Sequence, residues 1–307
     1  MLRHLIKIGL VLGLLGFGAF WYLTMPQQLS ADQLPAHTPD PEQGAYIFAA
    51  GGCSSCHAAE KAKGDDRLIL GGGRRFETQF GTFIASNISP DPKAGIGSWS
   101  ALDFVNAVTR GVSPEGAHYY PAFPYTSYRQ AKITDILDLK AYMDTLPPVA
   151  DAAPASEVGF PFNMRRGLGL WKMLFMDQSA FEDDPSQTPQ INRGAYLVNT
   201  LGHCAQCHTP RNHLGASDTA RAMAGAPNPD GKGFIPNITP HPDGIGNWSQ
   251  EDIAYALETG FTPDFDSLGG SMVAVVENTA QLTTQDREAI AAYLKSLPPL
   301  PKTGPDS

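Results

Sequence analysis

Two short runs decide what this sequence is equipped to bind. Cys53-Ser-Ser-Cys56-His57 returns as Cys204-Ala-Gln-Cys207-His208, and together they hold the four cysteines of the 307-residue chain. A Cys-x-x-Cys-His run is the attachment signature of c-type haem. Its cysteines, three apart on one helical turn, reach the two vinyl groups and form thioethers. The adjacent histidine then faces the iron as its proximal ligand. A disulfide in each pair, or one zinc shared between two Cys-x-x-Cys pairs, would use the same thiols. Zinc, however, has no need of a histidine directly after each pair, and the two pairs lie far apart in the chain. The runs therefore predict two covalently bound c-type haems, one on Cys53, Cys56 and His57 and one on Cys204, Cys207 and His208.

The sixth iron position separates the two sites. Met272 lies 64 residues after His208, in the stretch Leu268-Gly-Gly-Ser-Met272, and a thioether there gives His/Met ligation with a raised reduction potential. Counting from Gly111, which matches Gly260, puts Phe123 where Met272 stands, and phenylalanine cannot bind iron. His118, in the same stretch, is the expected replacement. Met143 and an iron with no protein ligand are the alternatives, Met143 aligning with a core position at Leu294. Bis-histidine ligation would give haem one the lower potential, so that electrons enter there and leave at haem two. An open iron would instead suit peroxide or small-ligand chemistry, with His118 or Glu115 as acid/base groups. Arg211 is a candidate partner for a haem propionate. Pro210 is a candidate carbonyl donor to the proximal imidazole. Trp99 and Trp248 read as core, His203 and His213 as exposed.

A repeat must position these residues. Gly44-Ala45-Tyr46 matches Gly194-Ala195-Tyr196, and Asn87-Ile88 matches Asn237-Ile238, each displaced by 150. Gly97-Ser-Trp99-Ser100 matches Gly246-Asn-Trp248-Ser249, and Leu146-Pro-Pro148 matches Leu297-Pro-Pro299. One module thus appears twice, at 38–150 and 187–301. In each copy a helix starting at Gln43 or Asn192 runs into the cysteine run. A second begins after Ser100 or Ser249, with Asp103 or Asp252 completing a capping box, and stops at Gly111 or Gly260. A third covers about 134–145 and 284–296 and ends at Leu-Pro-Pro. Strand signals are weak. The connector, 151–186, is apolar and aromatic from Phe160 to Phe175, which suits a helix packed between the modules, or else a docking face for a partner or the membrane.

Composition narrows the class. With 42% apolar and 17% charged residues the chain is not disordered. A net charge of −9 excludes the basic face that nucleic-acid binding requires. The chain opens with Arg3, His4 and Lys7 and is apolar from Ile8 to Leu23, with Trp21 and Tyr22 at the far end. That pattern predicts an uncleaved N-terminal span over residues 1–25, since Leu23-Thr24-Met25-Pro26 is a poor cleavage site. Positive charge before the span puts the remaining chain outside the cytoplasm.

Through Gly194-Ala-Tyr196, Cys204-Ala-Gln-Cys-His-Thr-Pro-Arg211, Pro236-Asn-Ile-Thr239 and Tyr120-Pro-Ala-Phe-Pro-Tyr125, the chain resembles the multihaem cytochrome c subunits of bacterial membrane-bound alcohol and gluconate dehydrogenases. The resemblance covers nearly everything after the N-terminal span. Together with the repeat and the N-terminal span, it leads to the expectation of a mainly α fold, two tandem cytochrome c domains behind a membrane anchor, with the globular part in the periplasm. It implies electron transfer, not catalysis, from a dehydrogenase subunit towards quinone, an oxidase or another cytochrome. Two departures stand out. The family's loop usually reads Pro-Ala-Met-Pro, with the methionine on iron, where this chain has Phe123. Family members also typically carry three modules, and here there are two.

Overall fold

Helices begin where the chain supplies a cap. The Asp40 carboxylate accepts from the backbone N–H groups of Glu42 and Gln43, and the Thr188 hydroxyl accepts from that of Ile191. Each cap is followed by proline, whose missing N–H is no loss in a first helical turn. Consequently α2 (Pro41–Gly51) and α8 (Pro189–Tyr196) start two and three residues before the expected Gln43 and Asn192. The computed structural model describes residues 1–228 and 233–302. In it α1 (Leu2–Leu23) stands first, and the cysteine runs form the short helices α3 (Cys53–His57) and α9 (Ala205–His208). A π-helical turn over 197–201 links α8 to the second run.

Ser100 and Ser249 cap α4 (Ala101–Val105) and α10 (Gln250–Thr259), each in a reciprocal box with the expected aspartate. A π turn extends α4 to Gly111, and Gly111 and Gly260 both end their helices with positive φ. α5 (Tyr125–Tyr128) and α6 (Ile133–Met143) follow in the first copy of the repeat, α11 (Met272–Thr279) and α12 (Thr284–Ser296) in the second. α7 (Gly167–Phe175) occupies the connector. Strands are short, as the weak signals suggested. β1 (Arg75–Thr78), β2 (Gly81–Ile84) and β3 (Glu157–Val158) form one antiparallel sheet, and β4 (Ala226–Pro227) pairs with β5 (Phe234–Ile235).

In both copies the helix before the cysteine run packs on the last helix, α2 on α6 and α8 on α12. The Gly-Ala-Tyr tripeptide explains how. A Cβ on Gly44 would stand 2.0 Å from the Asp138 carbonyl oxygen, and one on Gly194 only 1.9 Å from that of Ala289. Backbone-to-backbone contact of this kind admits only glycine. Ile47, Val105 and Ile136 fill one core; Val198, Ile290 and Leu294 fill the other, and the two are continuous.

The tyrosine of each tripeptide crosses to the other copy. Tyr46 donates to Asp286 Oδ2 at 2.5 Å and Tyr196 to Asp135 Oδ2 at 2.5 Å. Each hydroxyl also accepts a backbone N–H, from Thr283 at 3.2 Å and from Lys132 at 3.1 Å. Both partners are themselves matched by the repeat, so the contact is reciprocal, as in a two-fold dimer. Arg193 breaks the symmetry. It grips Asp286 through Nε and Nη2 at 2.8 and 2.6 Å, whereas Gln43 stands at its place in the first copy. Burial pushes the Asp286 carboxyl up, but Arg193 and Tyr46 outweigh it and hold it below the usual range.

α1 projects with its side chains exposed along its length and ends at the fully buried Thr24. The connector helix expected between the modules is confined to α7, and much of its apolar surface is exposed.

Candidate haem sites

The histidine of each cysteine run is held by one carbonyl. His57 Nδ1 donates to Ser86 O and His208 Nδ1 to Pro236 O, both at 2.7 Å. Ser86 and Pro236 are again 150 apart, directly before the matched Asn-Ile pairs. The carbonyl expected from Pro210 is thus supplied by Pro236. Burial lowers the pKa of both rings, so each imidazole is neutral and its Nε2 lone pair is free. A carbonyl-bound Nδ1 is the usual support behind a metal-bound histidine.

The cysteines suit a covalent porphyrin better than zinc. None of the four is in a disulfide; Cys56 and Cys207 are exposed and Cys53 and Cys204 half-buried. Among the described residues, no three His, Cys, Asp or Glu side chains gather closely enough to hold a metal ion by themselves. Each site therefore offers two thiols and a neutral, oriented imidazole, which is the donor set of a c-type haem.

An arginine braces each run at the same atom. Arg211 Nη2 donates to the Gln206 carbonyl at 2.9 Å and to its side-chain oxygen at 2.7 Å, and Nη1 donates to Gly215 O at 2.8 Å. Arg74 donates to the Ser55 carbonyl, the equivalent position. Since 74 and 211 are unrelated by the repeat, Arg74 gave no signal in the sequence.

The candidates for the sixth iron position are placed differently from one another. Met272, expected in an open loop, is the half-buried first residue of α11. Phe123 sits in an aromatic cluster, 6.1, 6.2 and 5.9 Å from the rings of Tyr119, Tyr125 and Tyr128. His118 is tied to the end of α1. It is 3% exposed, and its Nε2 donates to the Thr24 carbonyl at the end of α1, at 3.0 Å. The nitrogen that would face iron is occupied, and Nδ1 is sealed without a partner. That bond makes His118 part of the α1 seam. Met143, 2% exposed, is core, and Trp99 and Trp248 pack against the core as expected.

His203 is likewise not the exposed residue expected. It takes positive φ, 41°, where the first copy has Gly52 at 61°. A side chain in that region costs about 1–3 kcal/mol. Its ring meets Tyr128 edge-on at 5.6 Å, and Tyr128 donates to Gly51 O at 2.9 Å. Gln206 Nε2 adds bonds to Thr126 and Ser127 at 3.0 and 2.9 Å. In return Asn278, 150 residues from Tyr128, donates to Ser55 Oγ at 2.8 Å, and Arg67 bonds both Ser54 and Asn278. The two cysteine runs thus face each other.

Comparison with known proteins agrees with this geometry. The cytochrome c family matches residues 191–298. A dihaem c-type cytochrome of Cereibacter sphaeroides is 50% identical over 297 residues, 97% of this chain and 99% of its own length. The chain belongs to the dihaem c-type cytochromes. It carries two covalently bound c-type haems. This cytochrome is also similar to the fructose dehydrogenase cytochrome subunit of Gluconobacter japonicus, at 35% identity over 88% of the chain and 55% of that subunit. The gluconate 2-dehydrogenase cytochrome c subunit of Pantoea cypripedii is 36% identical over 94% of the chain and 64% of the subunit. The chain thus spans less than two thirds of these two subunits.

Proposed function

We propose that this cytochrome is an electron carrier of two cytochrome c domains, 38–150 and 187–301. In this reading α1 anchors it to the inner membrane and the globular part lies in the periplasm. It takes electrons from a dehydrogenase and passes them to quinone, an oxidase or another cytochrome. Cys53, Cys56 and His57 would hold haem one, and Cys204, Cys207 and His208 haem two, with Met272 as the distal ligand of haem two. A haem bound at each site supplies a one-electron iron couple. The chain's own part is to hold both proximal imidazoles neutral and aimed, and to keep water and competing ligands out.

The facing cysteine runs carry this reading. Tyr128, His203, Gln206 and Asn278 hold the two attachment sites against each other, a geometry that serves transfer between them and that an isolated site would not need. Similarity to the cytochrome subunits of fructose and gluconate dehydrogenases supports a dehydrogenase as the electron donor. Mass spectrometry of the denatured chain tests the assignment. The wild type should carry two haem masses, and the double variants Cys53→Ser/Cys56→Ser and Cys204→Ser/Cys207→Ser one each. Membranes containing either variant should lose dehydrogenase-linked oxygen uptake. Unchanged uptake with one haem missing would overturn the carrier role.

A further inference from the structure

α7 is turned inside out. Its lysine, Lys172, points inward with Gly169, and Met176 follows just past the helix end. Leu170, Met173, Leu174 and Phe175 point outward, between 39% and 62% exposed. This orientation is firmly held. Lys172 Nζ donates to the carbonyls of Arg110 and Gly111, both at 2.7 Å, and lies 4.6 Å from the Tyr125 ring centre. Trp171 Nε1 donates to Leu214 O at 2.9 Å, so the second copy is tied to the same helix. Phe160 and Met164, 80% and 57% exposed, extend the apolar surface ahead of it.

The outward face begins where α1 ends. Gly169 lets Thr24 approach so closely that a Cβ would meet Thr24 Cα at 2.7 Å. Arg166 donates through Nε to Thr24 Oγ1 at 2.9 Å and through Nη2 to Trp21 O at 2.5 Å, with its guanidinium 4.4 Å from the Trp21 ring. Trp is enriched at the headgroup layer, and Arg reaches it by snorkelling. A rigid helix with its apolar side out, joined at that level to an apolar span, has the form of an interfacial membrane segment.

We infer that α7 and the stretch before it lie in the headgroup–acyl boundary of the membrane that α1 crosses. The cytochrome is then held against the bilayer along its connector and does not hang from a tether. This rests on the anchor reading of α1. A protein subunit would also cover an apolar face, but continuity with α1 and the Arg166–Trp21 clamp favour lipid.

Spin labels on full-length holoprotein in phosphatidylcholine/phosphatidylglycerol vesicles test it, at Leu174→Cys and, independently, at Phe160→Cys. Leu10→Cys reports the span and Asp264→Cys the water phase; unchanged haem spectra certify each variant as folded. The ratio of collisions with oxygen to collisions with a water-soluble nickel chelate should be several-fold higher at 174 and 160 than at 264, approaching that at 10. Ratios at 174 and 160 like that at 264, with 10 in lipid, would overturn the inference and leave the face to a protein partner. Exclusion of both reagents at 174 and 160 would overturn it as well. An aqueous reading at 10 would instead remove the anchor, and this inference with it.

Discussion

His118 and Met272 are both of residue types able to bind iron, but in this fold His118 Nε2 is bonded to a backbone carbonyl. Thr24 O lies 94 residues from His118 in sequence, so nothing local announces the bond that occupies Nε2. His118→Ala should therefore leave the electron paramagnetic resonance signals of both haems unchanged. It should also leave the buried Thr24 carbonyl unpaired, at a cost of about 1–3 kcal/mol, seen as faster hydrogen exchange around residues 20–25. A change in either haem signal would restore His118 as a ligand. Met272→Ala should act in the opposite way, lowering the potential of haem two alone and altering its spin state. An unmoved potential would make Met272 a packing residue. The proximal ligands were legible because Cys-x-x-Cys-His is contiguous. Their supporting carbonyls, Ser86 and Pro236, were not, because any residue type can supply a carbonyl.

Helix existence followed from local signals that act within four residues. The Ser-x-x-Asp caps and terminal glycines are of this kind, and they recur in both copies. Helix packing depends on partners about 90 residues away, so the Gly-Ala-Tyr repeat could be seen but not explained. With Asp138 O and Ala289 O in place, Gly44→Ala and Gly194→Ala should each force the helix pair apart. The expected loss is about 1–3 kcal/mol or more, read as a lower urea midpoint. The docking of α7 adds a pH dependence. Burial pulls Lys172 down to about 7 from 10.5. Between those values the unfolded chain binds the extra proton, so this group's contribution to stability rises with pH across the window. Compared with Lys172→Met, the wild type should gain in denaturation midpoint from pH 7 to pH 10. A constant difference between the two would show that the carbonyls of Arg110 and Gly111 keep the ammonium charged throughout.

The two copies are joined through Tyr46–Asp286 and Tyr196–Asp135, and only the first aspartate is gripped by an arginine. Tyr46→Phe should thus cost more than Tyr196→Phe, because it leaves part of a charged pair unsatisfied at the buried Asp286. If the seam positions the haems, both variants should slow electron exchange between the two irons while leaving each proximal ligand intact. Rapid-reduction kinetics would detect this, and unchanged exchange rates would confine the tyrosines to stability. None of this seam was legible from one sequence. Tyrosine and aspartate are common surface residues, and only the fold shows that each pair is the image of the other.

That reciprocity has a consequence for growth of the molecule. When two copies bind through matching faces, each face is consumed by the other, and the pair has no free valence of that kind. A third module appended to this chain could not repeat the contact. It would need a new surface, so the same cytochrome unit can be lengthened only by inventing a different joint.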